Sequence, residues 1–404
     1  MRRYLLGAAM LMSACAGDHE AAELMVREEI RGDTAVVISA GDPPLFMASA
    51  VEVTWQSHEL GNPQSMARAG EHLVVGDGYR VHVLDSEGAH EHSFGTRGEG
   101  PGELQSSSSV GGFGEDTIAV FDARLHRVSL YSPDGRFFDS RRATPELPFV
   151  NPSRAGPPLV RHGPGVLWMA TENIRPGEPT RAAVIWHDLD ADSTTVLEVW
   201  DDLVFEELTG GVFGPRDLFP PRAILAVGND GRIAEGDGID YCLRIRRIGD
   251  PEREMWCRET PRIPVGAGIR SPDLELLAGE PQAELVESMV GEQDPGEFLP
   301  HFDRIRFSES GEVWVRTYDE DLADIHPAIA GRRPDLAPQH RQWDVFDSDG
   351  ALVKRVSLPY SFDPRVMFDD RTFGFWPLET GEITIGRAEL EEVRTDSPTA
   401  GNGA

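Results

Sequence analysis

Residues 72–95 read HLVVGDGYRVHVLDSEGAHEHSFG. Apolar and polar residues alternate on either side of two turns, at 76–78 and 86–88, which predicts three antiparallel strands in a β-meander. Residues 116–141, DTIAVFDARLHRVSLYSPDGRFFDSR, repeat the same plan. Two consecutive copies indicate a repeat protein.

Four looser copies of the plan follow along the chain. They occupy residues 163–200, 231–259, 311–358 and 365–390. Six units of several strands each, with little helix between them, are typical of a β-propeller, in which radial blades bury their faces on their neighbours. The sequence therefore predicts an all-β fold built as a single six-bladed β-propeller.

The predicted propeller covers residues 51–391 and leaves a segment at each end. In the N-terminal segment, 16–50, residues 33–38 are expected to supply a strand that completes the final blade and closes the ring. Residues 392–404 are mostly small and polar, which predicts a disordered tail. A short helical decoration is expected near 271–291, because a Ser-Pro pair opens this stretch and good helix formers follow it.

The charge of the chain excludes several classes of function. Of 404 residues 69 are acidic and 38 are basic, which gives a net charge of −31 at pH 7. A surface this acidic repels phosphate backbones, so nucleic acid is excluded as a partner. Lys354 is the single lysine. Away from that residue the sequence excludes Walker-type phosphate loops and Schiff-base catalysis.

The N-terminus has the pattern of a targeting signal. Two arginines precede an apolar run from Tyr4 to Met12, which predicts a cleaved signal peptide over residues 1–15. The residues before and including Cys15 resemble the bacterial lipobox, which implies lipidation of Cys15; the alternative is an ordinary secretory signal. Ala16 after the cysteine favours the outer membrane. We therefore expect a cell-envelope protein on the periplasmic or outer face of a bacterial membrane, attached through its lipid only.

The other two cysteines lie symmetrically about a predicted hairpin turn. Cys242 and Cys257 are equidistant from Gly249-Asp250, so the two strands would place them opposite each other. In an oxidising compartment a disulfide is one interpretation, and two free buried thiols are the other. This register makes them a hydrogen-bonded pair with the wider Cα separation, so a bond between them is expected to be strained.

The join between the first two units carries the most specific motif. Residues 94–104 read FGTRGEGPGEL. This string resembles NHL-type six-bladed propellers, and more closely a group of bacterial extracytoplasmic proteins with the pattern FG-x-x-GxGPGE[FL] between blades. The resemblance covers roughly residues 30–391. It implies a toroidal propeller, often a lipoprotein, and it implies no reaction.

The glycine-rich loop at 95–102 is not a nucleotide site, because no Lys-Ser follows it and it leads into a strand. One interpretation is a tight crossing between blades, with glycines at positive φ and with Glu99 and Glu103 capping backbone amides. The other is contact with a ligand at the channel mouth. For that ligand site the sequence predicts seven residues: Asp77, Arg80, Arg97, Glu99, Glu103, Asp122 and Arg127.

Four aspartates recur near the ends of presumed second strands. They are Asp77, Asp122, Asp237 and Asp319. The repeat would place them around one mouth of the channel, where they are candidates to bind Ca²⁺ or a cationic ligand. In the alternative interpretation each aspartate caps its own hairpin and pairs with a nearby arginine.

These observations predict a non-catalytic binding or assembly module. Its expected partner is an envelope protein, a peptide or a glycan at the propeller mouth; it is expected to be a monomer, and Ca²⁺ is the one candidate cofactor. The alternative is a Ca²⁺-dependent lactonase or hydrolase similar in architecture to gluconolactonase-type propellers. That family's Glu-Asn-Asn-Asp ligand set has no match in the sequence, so fold analogy alone supports the alternative.

Overall fold

The structure is a computed structural model. It describes residues 24–32, 34–107, 109–144, 149–152, 158–172, 174–208, 212–250, 252–277, 283–331, 333, 335–378 and 380–393. The predicted signal peptide with Cys15, and the predicted tail beyond residue 393, lie outside these ranges. No helix in the described ranges is long and apolar enough to cross a membrane.

Four strands precede the first complete blade and later join other blades. They are β1 (Met25–Arg31), β2 (Thr34–Ala40), β3 (Leu45–Met47) and β4 (Glu52–Trp55).

Blades one and two are four-stranded antiparallel meanders. Blade one contains β5 (Pro63–Ala69), β6 (His72–Asp77), β7 (Arg80–Leu84) and β8 (His90–Phe94). The crossing to the next blade contains two short strands that pair in parallel, β9 (Thr96–Arg97) and β10 (Glu103–Leu104). Blade two contains β11 (Ser109–Gly112), β12 (Ile118–Asp122), β13 (Arg127–Tyr131) and β14 (Phe137–Arg142).

Blade three has a divided inner strand. It contains β15 (Phe149–Pro152), β16 (Val160–His162), β17 (Gly165–Glu172), β18 (Pro179–Asp188) and β19 (Ser193–Val204). Both β15 and β16 pair with β17, at its opposite ends. The chain then passes through a small hairpin of β20 (Glu206–Leu208) and β21 (Val212–Gly214) into blade four. That blade contains β22 (Ile224–Val227), β23 (Arg232–Gly236), β24 (Cys242–Arg247) and β25 (Arg253–Glu259).

Helices lie between blades four and five, as the sequence predicts for 271–291. They are α1 (Ala267–Arg270), a 3-10 turn (Leu274–Leu277) and α2 (Ala283–Glu292). Ser271 ends α1 and does not begin a helix. Asp273 serves the 3-10 turn instead, because its carboxylate accepts the Glu275 N–H at 3.1 Å.

Blades five and six complete the ring. Blade five contains β26 (Phe302–Phe307), β27 (Val313–Thr317), β28 (His340–Phe346) and β29 (Leu352–Pro359), with a 3-10 turn (Glu320–Leu322) and α3 (Pro327–Ala330) between β27 and β28. Blade six contains β30 (Asp363–Met367), β31 (Arg371–Pro377) and β32 (Ile383–Glu389), and β33 (Glu391–Glu392) follows it. The predicted six-bladed β-propeller is confirmed.

An N-terminal strand closes the ring, but it is not the predicted one. β4 pairs with β32 and gives blade six its fourth strand. The predicted strand at 33–38 corresponds to β2, which pairs in parallel with β25 on the outer side of blade four. Its run of buried residues, which includes Val36, Val37 and Ile38, fits a ring-closing strand and an outer strand equally well. The pattern therefore could not identify the partner. At the other end Glu392, placed by the sequence in the tail, belongs to β33 and pairs with β3.

The core is divided among the gaps between neighbouring blades. An apolar cluster fills each of the six gaps. Between blades two and three, for example, Trp168 stacks on Phe121 with ring centroids 4.6 Å apart. Because the blades bury one another's faces, their inner strands are held at fixed positions around a central channel.

Candidate functional site

A cavity of about 290 Å³ occupies one half of the channel. Blades three and four contribute an apolar wall, whose members include Met169, Ala182, Phe205, Ile224 and Ala226. Blades five and six contribute charged side chains, which are Asp303, Arg304, Arg306 and Arg365. The side of blades three and four also carries Glu172, Asp202 and Arg222, so the apolar wall is one part of that side.

The charged side is built from the first strands of blades five and six. Arg304 and Arg306 are two residues apart on β26 and lie on the same side of that strand. Asp363, at the start of β30, faces both of them. Its Oδ1 atom lies 2.9 Å from Arg304 Nη1 and 2.8 Å from Arg306 Nη2. Its other oxygen, Oδ2, lies 2.7 Å from Arg365 Nη2. One carboxylate is thus shared by three guanidinium groups.

A second carboxylate, Asp303, binds two further arginines, Arg316 and Arg341. Arg316 binds it with both ends of its fork, Nε to Oδ1 and Nη2 to Oδ2, each at 2.7 Å. Arg341 Nη1 lies 3.7 Å from Oδ2, and the Tyr318 hydroxyl donates to the same oxygen at 3.4 Å. Asp303, Asp363 and these five arginines form what we call the arginine cluster.

Electrostatics keeps both aspartates ionised. Burial alone would raise the pKa of the Asp363 carboxyl, but Arg306, Arg365 and Arg304 outweigh it and hold that pKa far below its usual range. Burial opposes ionisation of Asp303 in the same way, and Arg316 and Arg341 again keep its pKa well below normal.

The two aspartates do not balance the arginines. Five guanidinium groups and two carboxylates give the cluster a formal charge of +3, inside a chain whose net charge is −31. Burial, with Arg316 and Arg365 nearby, lowers the pKa of Arg304 to about 10. Burial likewise lowers the pKa of Arg306, and Arg365 and Arg304 add to the effect. An anion in the cavity would offset this excess of positive charge.

The other charged residues at this cavity leave the excess unchanged. Glu172 is paired with Arg181, whose Nε lies 2.9 Å from Glu172 Oε2. Asp202 accepts the Ala223 N–H at 3.2 Å. Arg222, which precedes Ala223 and also lines the cavity, carries a charge opposite to that of Asp202.

A second cavity of about 680 Å³ occupies the other half of the channel. It lies among the turns that join the first and second strands of the blades, and it shares Phe307 and Arg365 with the first cavity. Its lining is mixed in charge: Arg68 and Arg161 are present together with Glu71, Glu115, Asp116 and Glu309. The excess of positive charge therefore belongs to the first cavity.

The glycine-rich loop is tied to itself and to blade two. The Glu103 carboxylate accepts the Gly100 N–H at 2.8 Å, and Arg127 donates to the carbonyl oxygen of Glu99 at 3.1 Å. Gly102 has φ +76°, and a Cβ there would lie 3.1 Å from the Phe137 side chain. These contacts match the interpretation as a tight crossing. Ligand binding by this loop, including the exposed Arg97, stays a prediction.

Asp77 and Asp122 fix the crossings between blades. Asp77 accepts the N–H groups of Gly61 and Asn62, both at 2.7 Å. Asp122 accepts the Gln105 N–H at 2.7 Å, and further N–H groups from residues 106, 124 and 125 at 3.0 to 3.1 Å. The two carboxylates therefore accept hydrogen bonds mainly from backbone N–H groups.

The structure does not bring the four predicted aspartates together as one group of metal ligands, and calcium binding by them stays a prediction. Asp237 accepts the Ile239 N–H at 2.9 Å, and Asp319 caps the 3-10 turn that begins at Glu320. Arg80, expected to pair with an aspartate, lies 3.4 Å from Glu59. Among the residues that the structure describes, no three His, Cys, Asp or Glu side chains are grouped as metal ligands. The physical reason is that each carboxylate caps its local backbone.

The arginine cluster was not predicted from the sequence, although a related motif occurs in both strands that carry it. Residues 302–307 read FDRIRF and residues 362–368 read FDPRVMF. Both stretches place Phe-Asp shortly before arginine, 60 positions apart: two arginines alternate with apolar residues in the first stretch, and one arginine follows a proline in the second. The predicted fifth and sixth units began later, at 311 and 365, so they omitted the strand that carries Asp303 and the residue Asp363.

Cys242 and Cys257 form a disulfide, with Cα atoms 4.1 Å apart. They pair as predicted, but the expectation of a hydrogen-bonded pair is wrong. The N–H of Arg258 donates to Tyr241 O at 2.9 Å, so the hydrogen-bonded pair is the adjacent one. The turn differs from the predicted one, because the Asp250 N–H donates to the carbonyl oxygen of Arg247 at 3.1 Å. The cysteines therefore occupy the closer, non-hydrogen-bonded positions.

Comparison with known proteins identifies no family. No family model matches the chain, and neither does any curated protein. A member of the DUF4221 family from Bacteroides vulgatus is similar in structure at 11% identity, over 93% of this chain and 100% of that one, with a TM-score of 0.48. A candidate exported protein from Bacteroides fragilis is 14% identical, over 87% and 99% of the two chains, with a TM-score of 0.43.

YCF48, solved with the D1 peptide, is 11% identical over 88% of this chain and 98% of its own, with a TM-score of 0.39. All three scores lie below 0.5, so these likenesses carry no argument about function. The strand order of the chain itself assigns it to the six-bladed β-propellers.

Proposed function

We propose that the protein is an extracytoplasmic binding module whose channel takes an anionic group of its ligand. The observation that carries the proposal is the formal charge of +3 on the arginine cluster, of which Asp303, Arg304, Arg306 and Arg365 line a cavity of about 290 Å³. Buried guanidinium groups in excess of their carboxylate partners are stabilised by an incoming oxyanion. Acidic peptides and acidic glycans both carry such a group, so the proposal fits the predicted partner classes.

The proposed location is the cell envelope, with a lipid anchor at Cys15. The signal-like N-terminus supports it, and so does the disulfide between Cys242 and Cys257, because structural disulfides persist in oxidising compartments. The alternative of a calcium-dependent lactonase gains no site from the described part of the chain, where the acidic residues are not grouped as metal ligands.

Anion binding to variants of one arginine tests the function. The purified protein is titrated with inorganic phosphate, acetate and octanoate at low ionic strength, with calorimetric and thermal-unfolding readouts. Arg304→Met removes a guanidinium while Asp363 keeps Arg306 and Arg365 as partners. Arg244→Met is the matched control, because Arg244 also pairs with a carboxylate, Glu235, but does not line the cavity.

At least one of the three oxyanions is expected to bind. A ligand present at 100 times its Kd adds about 2.7 kcal/mol to the stability of the folded state. At the same ligand concentration Arg304→Met should remove about half or more of that gain, and Arg244→Met none of it. The proposal is wrong if none of the anions binds, or if the two variants bind equally well.

A further inference from the structure

The cavity beside the arginine cluster has an apolar half that an inorganic anion would leave unused. Met169, Phe205 and Ile224 form part of this wall, and each is buried to more than nine-tenths. Small inorganic anions would contact the arginines and leave water against the apolar side chains. Filling that half with apolar atoms is favourable, at about 25 cal/mol per Å² of surface removed from water.

The charged half retains donors for a ligand's head group. Among the described residues Arg304 makes one hydrogen bond, from Nη1 to Asp363 Oδ1. A guanidinium carries five N–H donors, so the others remain available. The Arg304 side chain is 26% exposed and Arg306 is 12% exposed. Arg304 is thus the most accessible cation that faces Asp363.

We infer that the ligand is an amphipathic anion, with an oxyanion head on the arginine cluster and an apolar body against blades three and four. This inference rests on the proposed function and adds the chemical class of the ligand. The cavity volume of about 290 Å³ sets the scale for a probe. Liquid water occupies about 30 Å³ per molecule, so the cavity holds about ten non-hydrogen atoms. Octanoate has this size and this chemistry, and it serves as the probe.

A series of carboxylates separates the apolar contribution from the charged one. Acetate, butanoate, hexanoate and octanoate share a head group and differ in chain length, while octan-1-ol keeps the chain without the charge. Each methylene that enters the apolar half is expected to lower the Kd about fourfold, which corresponds to about 0.8 kcal/mol. Octanoate should therefore bind about 250-fold more tightly than butanoate.

The variants test the head group in the same titrations. Arg304→Met should weaken octanoate binding by about 10- to 100-fold, because a charge-assisted hydrogen bond is lost. Arg304→Lys should retain part of the affinity, and Arg244→Met should retain all of it. Circular dichroism and thermal unfolding of each variant show whether it is folded. If Arg304→Met does not fold, Arg306→Met provides a second test, because Arg306 binds the same carboxylate, Asp363.

The possible results distinguish this inference from the proposed function. Equal affinity for acetate and octanoate, lost in Arg304→Met, would overturn the amphipathic ligand and leave anion binding intact. Equal affinity for octan-1-ol and octanoate would overturn both, because charge would then play no part in recognition. A steady gain with chain length that also depends on Arg304 supports both.

Discussion

Replacing Asp363 by asparagine should destabilise the propeller strongly, because this carboxylate is shared by three guanidinium groups at 2.7 to 2.9 Å. Asparagine has the same shape and keeps one acceptor oxygen, but it removes the charge. Taking away one partner of a buried ion pair costs about 3–5 kcal/mol, since the remaining charge is left uncompensated. The formal charge of the arginine cluster rises from +3 to +4 in this variant.

Thermal unfolding of Asp363→Asn measures the effect. The unfolding entropy of a 404-residue chain is about 0.8 kcal/mol/K, from about 2.1 cal/mol/K per residue, so the Tm should fall by about 4–6 °C. Asp335→Asn is the control, because Asp335 pairs with Arg333 at 2.7 Å on the exposed surface. Phosphate should raise the Tm of Asp363→Asn more than that of the wild type, since the cluster carries one more positive charge.

The pH dependence gives the same prediction a second readout. The pKa of folded Asp363 lies far below the unfolded value of about 3.9. Its contribution to stability is therefore complete above about pH 4–5, and it is lost as the pH falls from about 4 towards the folded pKa. Acid unfolding of Asp363→Asn should be correspondingly shallower. The prediction is wrong if Asp363→Asn is as stable as Asp335→Asn and loses stability at low pH as the wild type does. Channel water alone would then solvate the three arginines.

Three further predictions concern other parts of the chain. Reduction of the disulfide between Cys242 and Cys257, which closes a loop with a sequence separation of 15, should cost about 3 kcal/mol of stability; thermal unfolding with and without a reductant measures this, and a double serine variant should not respond to the reductant. Gly102→Ala should be more destabilising than Gly177→Ala in urea unfolding, because both glycines have positive φ but only at Gly102 does the new Cβ meet a side chain, at 3.1 Å; equal losses would mean that φ alone decides. Cys15→Ser should move the protein from the membrane fraction to the soluble fraction of cells that export it, and wild-type protein in the soluble fraction would contradict the proposed lipid anchor.

The outer strands of the blades were predictable because their signal is local. In residues 72–95 the apolar alternation and the two turns lie within one short stretch, so the sequence alone places three strands. The inner strand of blade five, Phe302–Phe307, carries three charged residues and breaks that alternation. Those charges are tolerated because Asp303 meets Arg316 on the next strand, and Arg304 meets Asp363, 59 positions later in the chain.

The partners of the N-terminal strands were not predictable for a different reason. Val36 and Val37 lie on opposite faces of β2 and both are buried, but burial of both faces gives no information about which sheet the strand joins. The arginine cluster has the same limitation. Arg341 lies 38 positions from Asp303 along the chain, with the helical insertion of blade five between them, and only the folding of that blade brings them to 3.7 Å. Local patterns predict elements, whereas the site depends on contacts between elements.

The three N-terminal strands β2, β3 and β4 join blades four, five and six in order, through pairing with β25, β29 and β32. These strands are synthesised first, but they cannot pair until the strands of the last three blades have been synthesised. Trp55 pairs with Ile385, 330 residues later, and contacts this distant in sequence slow folding. Until they form, the edges of blades four to six remain open to pairing with other chains. Folding of this propeller should thus depend on protection of a nascent, incomplete ring, and a chain truncated before blade six should aggregate although most of its blades are present.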